Sequence, residues 1–230
     1  MIEKNDKEII SFFSNKGGDG CSSFLLGTAL SLAENKKVLI IDFCGDIPAM
    51  LGYERDSAYG IIDWFNSNGA SGVDPLQGMA ITFSENLLVL PKGNSGFNES
   101  INSVDFQEVV NCFDADYIFI DAGVNEMLWD SFLLKDFNYR CVFSSNYFSL
   151  RKLLNKLTYR DLKNFVFIYN AKSSITLAKI SDMFANQKIL ELKFSSTIGK
   201  MFEAGIIAQR APISFLENCM AAHNGFEKRG

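Results

Sequence analysis

Ten residues that could hold an anion, Ser14-Asn15-Lys16-Gly17-Gly18-Asp19-Gly20-Cys21-Ser22-Ser23, lie between an apolar run, Ile9 to Phe13, and an alanine- and leucine-rich stretch, Phe24 to Ala33. Glycines let a backbone come close to a ligand. A loop that joins a strand to a helix then aims several N–H groups and the positive end of the helix dipole at one point, which is how proteins bind phosphate. The ordinary pattern G-x-x-x-x-G-K-[ST] needs a glycine at 15 and a lysine at 21, where this chain has Asn15 and Cys21. The missing lysine is a positive charge beside the phosphates and beside the charge that develops in phosphoryl transfer. Its loss weakens binding and harms hydrolysis more. Ser22 carries a hydroxyl suited to magnesium and equally suited to capping the helix, and Ser23 shares that ambiguity. The alternative for the whole segment is a tight strand-to-helix connection with no ligand.

The elements that must position this loop follow from periodicity. The pattern predicts strands at 8–13, 37–42, near 79–83, 87–91, 117–121, 140–144, 165–169 and 188–193. Helices are predicted at 22–34, 59–67, 104–112, 126–136, 149–163, 176–185 and in the carboxyl-terminal stretch. Strands with few polar residues that alternate with helices imply a mainly parallel sheet covered on both faces, a doubly wound α/β fold. Asn66 to Gly78 and Lys92 to Ser103, rich in glycine and polar residues, read as surface loops.

The segment Lys16-Gly17-Gly18-x-Gly20-x-Ser22 resembles the deviant Walker A loop of the MinD/ParA family, x-K-G-G-x-G-K-[ST]-[ST], and the rest of the chain carries further landmarks in order. Lys37 to Asp42, KVLIID, is similar to the family's strand followed by D-x-D, with Asp42 at the first acid and Cys44 at the second. Tyr117 to Gly123, YIFIDAG, resembles the Walker B strand, and Phe165 to Asn170, FVFIYN, the later strand that ends in an asparagine. The resemblance implies one P-loop NTPase-like domain over 1–230 that binds ATP or ADP with Mg2+. It implies phosphate contacts from Lys16, Gly17, Gly18, Asp19, Gly20, Cys21, Ser22 and Ser23, an adenine contact from Asn170, and magnesium held through Ser22, Asp42 and Asp121. The catalytic positions it implies are Lys16, Asp42 and Asp121, with Cys21 and Cys44 in place of the usual loop lysine and water-orienting acid. Lys16 matches the lysine that reaches across a homodimer to the partner's nucleotide. Asp46, two residues beyond Cys44, is either a stand-in for that acid or a surface or capping aspartate. The middle segment, Asp42 to Gly52, Gly60 to Trp64 and Asn86 to Gly93, is similar to the CpaE/TadZ-like branch, which accompanies pilus and secretion machinery.

Composition narrows the setting. With 230 residues, 47% apolar content and four prolines, the chain suits one well-buried domain. No apolar run approaches the roughly 18–20 residues that cross a bilayer, and the charged start MIEKNDKE lacks the shape of a signal peptide, so a cytoplasmic protein is expected. Five scattered cysteines with no C-x-x-C pair argue for reduced thiols. Cys21, at a helix start beside Lys16 and with Cys44 in prospect, has the setting that lowers a thiol pKa and makes a redox switch conceivable; a small buried cysteine is the plain alternative. The net charge of -5 disfavours nucleic acid in general, so DNA is an improbable partner. Arg151, Lys152, Lys156, Arg160 and Lys163 share a predicted helix with leucines and form either a docking stripe or a solvated face. His223 has no partner motif, and Ile213 to Gly230 lacks a basic amphipathic pattern, so peripheral membrane contact by that route is doubtful.

Three functions fit these residues. The first is a nucleotide-binding, dimeric positioning or scaffold protein with weak or lost hydrolysis and a protein partner. The second is an active ATPase of septum-site selection or partitioning. The third is an interaction module that no longer binds nucleotide.

Overall fold

The runs VLIID, YIFIDAG and EIISFFS can be buried on both faces only as central strands of a parallel sheet, and a computed structural model places them there. The structure describes residues 7–53, 59–67, 74–96, 103–125, 128, 137–144, 148–149, 151–152, 165–171 and 188–193. Strands β1 (Glu8–Ser14), β2 (Val38–Asp42), β3 (Ile81–Ser84), β4 (Leu87–Leu90), β5 (Tyr117–Gly123), β6 (Tyr139–Ser144), β7 (Phe165–Ala171) and β8 (Lys188–Lys193) form one sheet. Its order is β3-β4-β2-β5-β1-β6-β7-β8. All the pairings are parallel except β3 with β4, which is antiparallel and closes one edge. The doubly wound α/β expectation holds.

Alternation along each strand divides the core in two. Phe13, Leu39, Ile41, Ile118 and Ile120 point to the face covered by α3 (Ile61–Asn66) and α5 (Ser103–Cys112), through Ile61, Ile62, Trp64, Phe106 and Val109. Ile10, Phe12, Val38, Ile40 and Phe119 point to the other face, against Phe24, Leu25, Ala29 and Leu32 of α1 (Cys21–Leu32). Phe12 meets Phe119 edge-on at 5.2 Å between centroids, and Phe24 meets Phe143 at the same separation, so aromatic packing fixes α1 over the middle of the sheet. Removing one such fully buried ring costs about 3–5 kcal/mol.

Two short helices were not foreseen. α2 (Ile47–Met50) occupies the turn after β2, and α4 (Asp74–Met79) lies where a loop was expected and buries Leu76 against the α3–α5 face. The expected helices at 126–136, 149–163 and 176–185 and the carboxyl-terminal stretch lie wholly or mostly outside the described residues. Arg151 and Lys152 are described and exposed, whereas Lys156, Arg160, Lys163 and His223 fall outside. Among the described residues no helix is long and apolar enough to cross a membrane.

Candidate functional site

In a doubly wound sheet the ligand crevice opens beyond the carboxyl ends of the strands where the strand order reverses. Here β5 and β6 flank β1 on opposite sides, so the loop after β1 sits at that reversal. The register brings Asp42 level with Asp121 on the adjacent strands β2 and β5, and the β1–β5 ladder shifts register beside them, so that Phe12 pairs with Asp121 and Phe13 with Gly123. Both carboxylates are wholly buried.

The loop is built for its turn. Gly18 has φ 78°, and Gly20, at the N-cap of α1, has φ 93°, both left-handed conformations that a side chain would strain. No side chain caps the helix, so its first N–H groups are left to a ligand or to water. Ser22 lies inside α1, one residue past its start, and is therefore not the cap that its type suggested. Gly17, Gly18, Asp19, Gly20, Cys21, Ser22 and Ser23 line a cavity of about 490 Å³, joined by Ser14, Phe43, Cys44, Asp46, Met50, Lys92, Gly123, Val124 and Asn125. Lys16 is exposed and outside that lining.

Beneath the cavity three potential ligand atoms, from Asp42, Cys44 and Asp121, lie within 4.8 Å of one another. Asp42 is heavily engaged: Oδ1 accepts the N–H groups of Cys44 at 2.9 Å and Gly45 at 2.8 Å, and Oδ2 accepts that of Ile47 at 3.0 Å. It thereby holds the turn and caps α2. Asp46, which occupies the N-cap position itself, makes no such side-chain bond and is exposed. Burial and then the neighbouring Asp121 push Asp42 up to about 7, against the pull of those three N–H groups. Burial also raises Asp121, and the Ser22 hydroxyl and the Cys44 thiol beside it draw it partly back. Asp121 Oδ1 lies 3.4 Å from Cys44 Sγ and 3.2 Å from the Gly123 nitrogen, while the buried Oδ2 has no hydrogen bond among the described residues. An orphaned buried carboxylate oxygen is costly, and a cation is the natural way to satisfy it. The donor set therefore fits a divalent metal, with Asp121 and Ser22 best placed to serve it and Asp42 beside them.

The thiols do not behave as the helix start suggested. Cys21 belongs to the buried cluster that holds Phe12, Phe24 and Cys141, and burial, followed by the charges of Asp121 and Cys44, pushes its pKa well above the ordinary value. Desolvation outweighs the helix dipole, so Cys21 stays a protonated thiol. Cys44 is raised too, first by burial and then by Asp121 and Asp42. Cys21, Cys44, Cys112 and Cys141 are all free thiols. Asn170 is placed by its backbone alone, in β7 opposite Leu192. Lys92 is a charged site residue that the motif reading passed over, as it did Ser14, Phe43, Met50, Gly123, Val124 and Asn125. It follows the end of β4, next to β2 in the sheet, and only the strand order carries it to the loop.

No protein-family model and no curated protein sequence matches the chain. Solved structures do. A ParA family ATPase from Chlorobium tepidum superposes with a TM-score of 0.70 at 21% identity, over 91% of this chain and 95% of that one. The fold is that of the ParA/MinD ATPases. The MinC:MinD cell division protein complex of Aquifex aeolicus matches at TM-score 0.71 and 19% identity, over 94% and 96% of the two chains. The septum site-determining protein MinD of Pyrococcus horikoshii, solved with Mg-ADP, matches at 0.66 and 18%, over 94% and 96%. The ParA/MinD likeness thus spans nearly the whole chain at the level of fold.

Proposed function

We propose that the chain is a ParA/MinD-type protein that binds ATP or ADP with Mg2+ and hydrolyses it slowly or not at all. The carrying observation is the pairing of an open glycine loop at the start of α1 with an orphaned Asp121 oxygen beneath it, while a buried, neutral Cys21 stands where the loop lysine belongs. Gly17 to Ser23 hold the phosphates, Asn170 meets the base, and Ser22 and Asp121, with Asp42 beside them, hold the metal. A bound metal would supply charge neutralisation to the phosphates. Cys44, a thiol that donates toward Asp121, cannot orient an attacking water as a carboxylate does.

The exposed Lys16 completes the site of a second copy, so the nucleotide-bound protein is a homodimer that serves in the cytoplasm as a positioning scaffold. The CpaE/TadZ-like look of Asp42 to Gly52, Gly60 to Trp64 and Asn86 to Gly93 makes a pilus or secretion assembly its partner. A second reading, an active ATPase, is favoured by one observation: Asp46 lines the cavity near enough to raise the pKa of Asp121 and is solvent-accessible, so it could take over the duty of the missing acid. Phosphate release separates the two. The scaffold reading expects wild type to release no more phosphate than Asp121→Ala and bound ATP to be recovered intact. Turnover abolished by Asp121→Ala and by Asp46→Ala establishes the second.

A further inference from the structure

Among the described residues, Lys92 is the sole basic residue lining the phosphate cavity, whose other charged lining residues are Asp19 and Asp46. Asp42 and Asp121 lie buried beneath it. A polyphosphate entering this cavity meets four carboxylates, and without a cation from the protein only the metal would offset them. The Lys92 backbone is firmly held. Gly60 packs so tightly on the turn after β4 that a Cβ there would fall 2.2 Å from the Pro91 carbonyl oxygen and 2.3 Å from the Gly93 nitrogen. The N–H groups of Ile61 and Ile62 at the start of α3 donate to the carbonyls of Pro91 at 2.8 Å and Lys92 at 3.1 Å. The side chain then runs over the turn after β2, its Cδ 3.4 Å from the Cβ position of Gly45, an ordinary van der Waals approach. Among the described residues its ammonium makes no ion pair and no hydrogen bond. A half-buried, backbone-anchored cation that shares a cavity with acids and pairs with none of them is poised for an anionic ligand.

We propose that Lys92 supplies, from the opposite wall of the cavity, the positive charge that Cys21 no longer supplies from the loop, and that it contacts the polyphosphate of a bound nucleotide. This rests on the nucleotide-binding reading above. It gives the site an unusual division of labour: the loop contributes backbone N–H groups, and the turn that follows β4 contributes the lysine.

The test is a calorimetric titration of the full chain with Mg-ATP and with Mg-ADP, for wild type, Lys92→Met, Lys92→Arg and the double variant Cys21→Lys/Lys92→Met. Losing one charge-assisted contact predicts ATP binding weaker by about 10- to 100-fold in Lys92→Met. The loss for ADP should be smaller, Lys92→Arg should keep most of the affinity, and the double variant should regain it. Melting temperatures without nucleotide identify any variant that fails to fold, and Lys92→Gln replaces Lys92→Met in that case. Wild-type ATP affinity in Lys92→Met, or an equal loss for ATP and ADP, overturns the role of Lys92 alone. A wild-type chain that binds neither nucleotide overturns the nucleotide reading and this inference with it.

Discussion

Replacing Cys44 by aspartate probes the acidic floor of the cavity directly. Its sulfur and the nearest oxygens of Asp42 and Asp121 lie within 4.8 Å of one another, so Cys44→Asp sets a third carboxylate against two buried ones. At 4.8 Å and an effective dielectric constant of about 20, each pair of unit charges repels by about 3.5 kcal/mol. Proton uptake caps the penalty, since holding one aspartic acid neutral at pH 7 costs about 1.36 kcal/mol for each of roughly three units. The expected loss is therefore about 2–4 kcal/mol at neutral pH, shrinking as the pH falls toward 4. Millimolar magnesium should restore much of it, because a metal saturating the site at a hundredfold its dissociation constant contributes about 2.7 kcal/mol. Urea denaturation with and without magnesium measures both quantities, with Cys44→Ser as the uncharged control. A variant within about 0.5 kcal/mol of wild type, and indifferent to magnesium, would mean that these carboxylates do not converge on one point.

Asp42 gives a pH dependence of defined sign. Its folded-state pKa is raised from 3.8 to about 7, so the folded chain keeps a proton that the unfolded chain gives up; its stabilising contribution is complete below about pH 4 and is lost as the pH rises to 7. Three units amount to about 4 kcal/mol at most, seen as a falling urea midpoint across that window, and an Asp42→Asn variant should lack the slope. Gly60→Ala should lower stability by about 2–4 kcal/mol in a thermal melt, since backbone atoms of Pro91 and Gly93 block the new methyl group; a melting temperature equal to wild type would show that the packing of Gly60 on the turn after β4 is loose. Cys21→Lys should tighten ATP by about 1–3 kcal/mol, and hydrolysis should rise only when Cys44→Asp is added, a non-additivity that steady-state kinetics detects.

The sheet was legible because strands buried on both faces are continuous apolar runs: Val38 to Ile41, Ile118 to Ile120 and Phe165 to Ile168 announce themselves. The loop was legible through its glycines, whose spacing matches the left-handed turns at Gly18 and Gly20. α4 was hidden because its six residues, DPLQGM, contain proline and glycine and owe their helix to the burial of one leucine. The protonation of Cys21 was hidden for a different reason. A helix start favours the thiolate, but the burial of the sulfur depends on the packing of α1 against distant strands, Phe12, Cys141 and Phe143 among them, which lies outside any local window. Asp42 could be located as a strand-terminal acid, yet the three N–H groups that fill its oxygens arise from the turn into α2. Lys92 required knowledge that β4 pairs with β2, a long-range fact that no spacing along the chain encodes.

The central claim is that this glycine loop still holds a nucleotide although its lysine is gone. Calorimetric titration of the chain with Mg-ATP tests it most directly. The account predicts saturable binding of one nucleotide per chain, with ATP recovered unhydrolysed afterwards. No heat of binding, together with an unchanged melting temperature at millimolar Mg-ATP, would contradict it and leave the ParA/MinD fold here as a scaffold without its ligand.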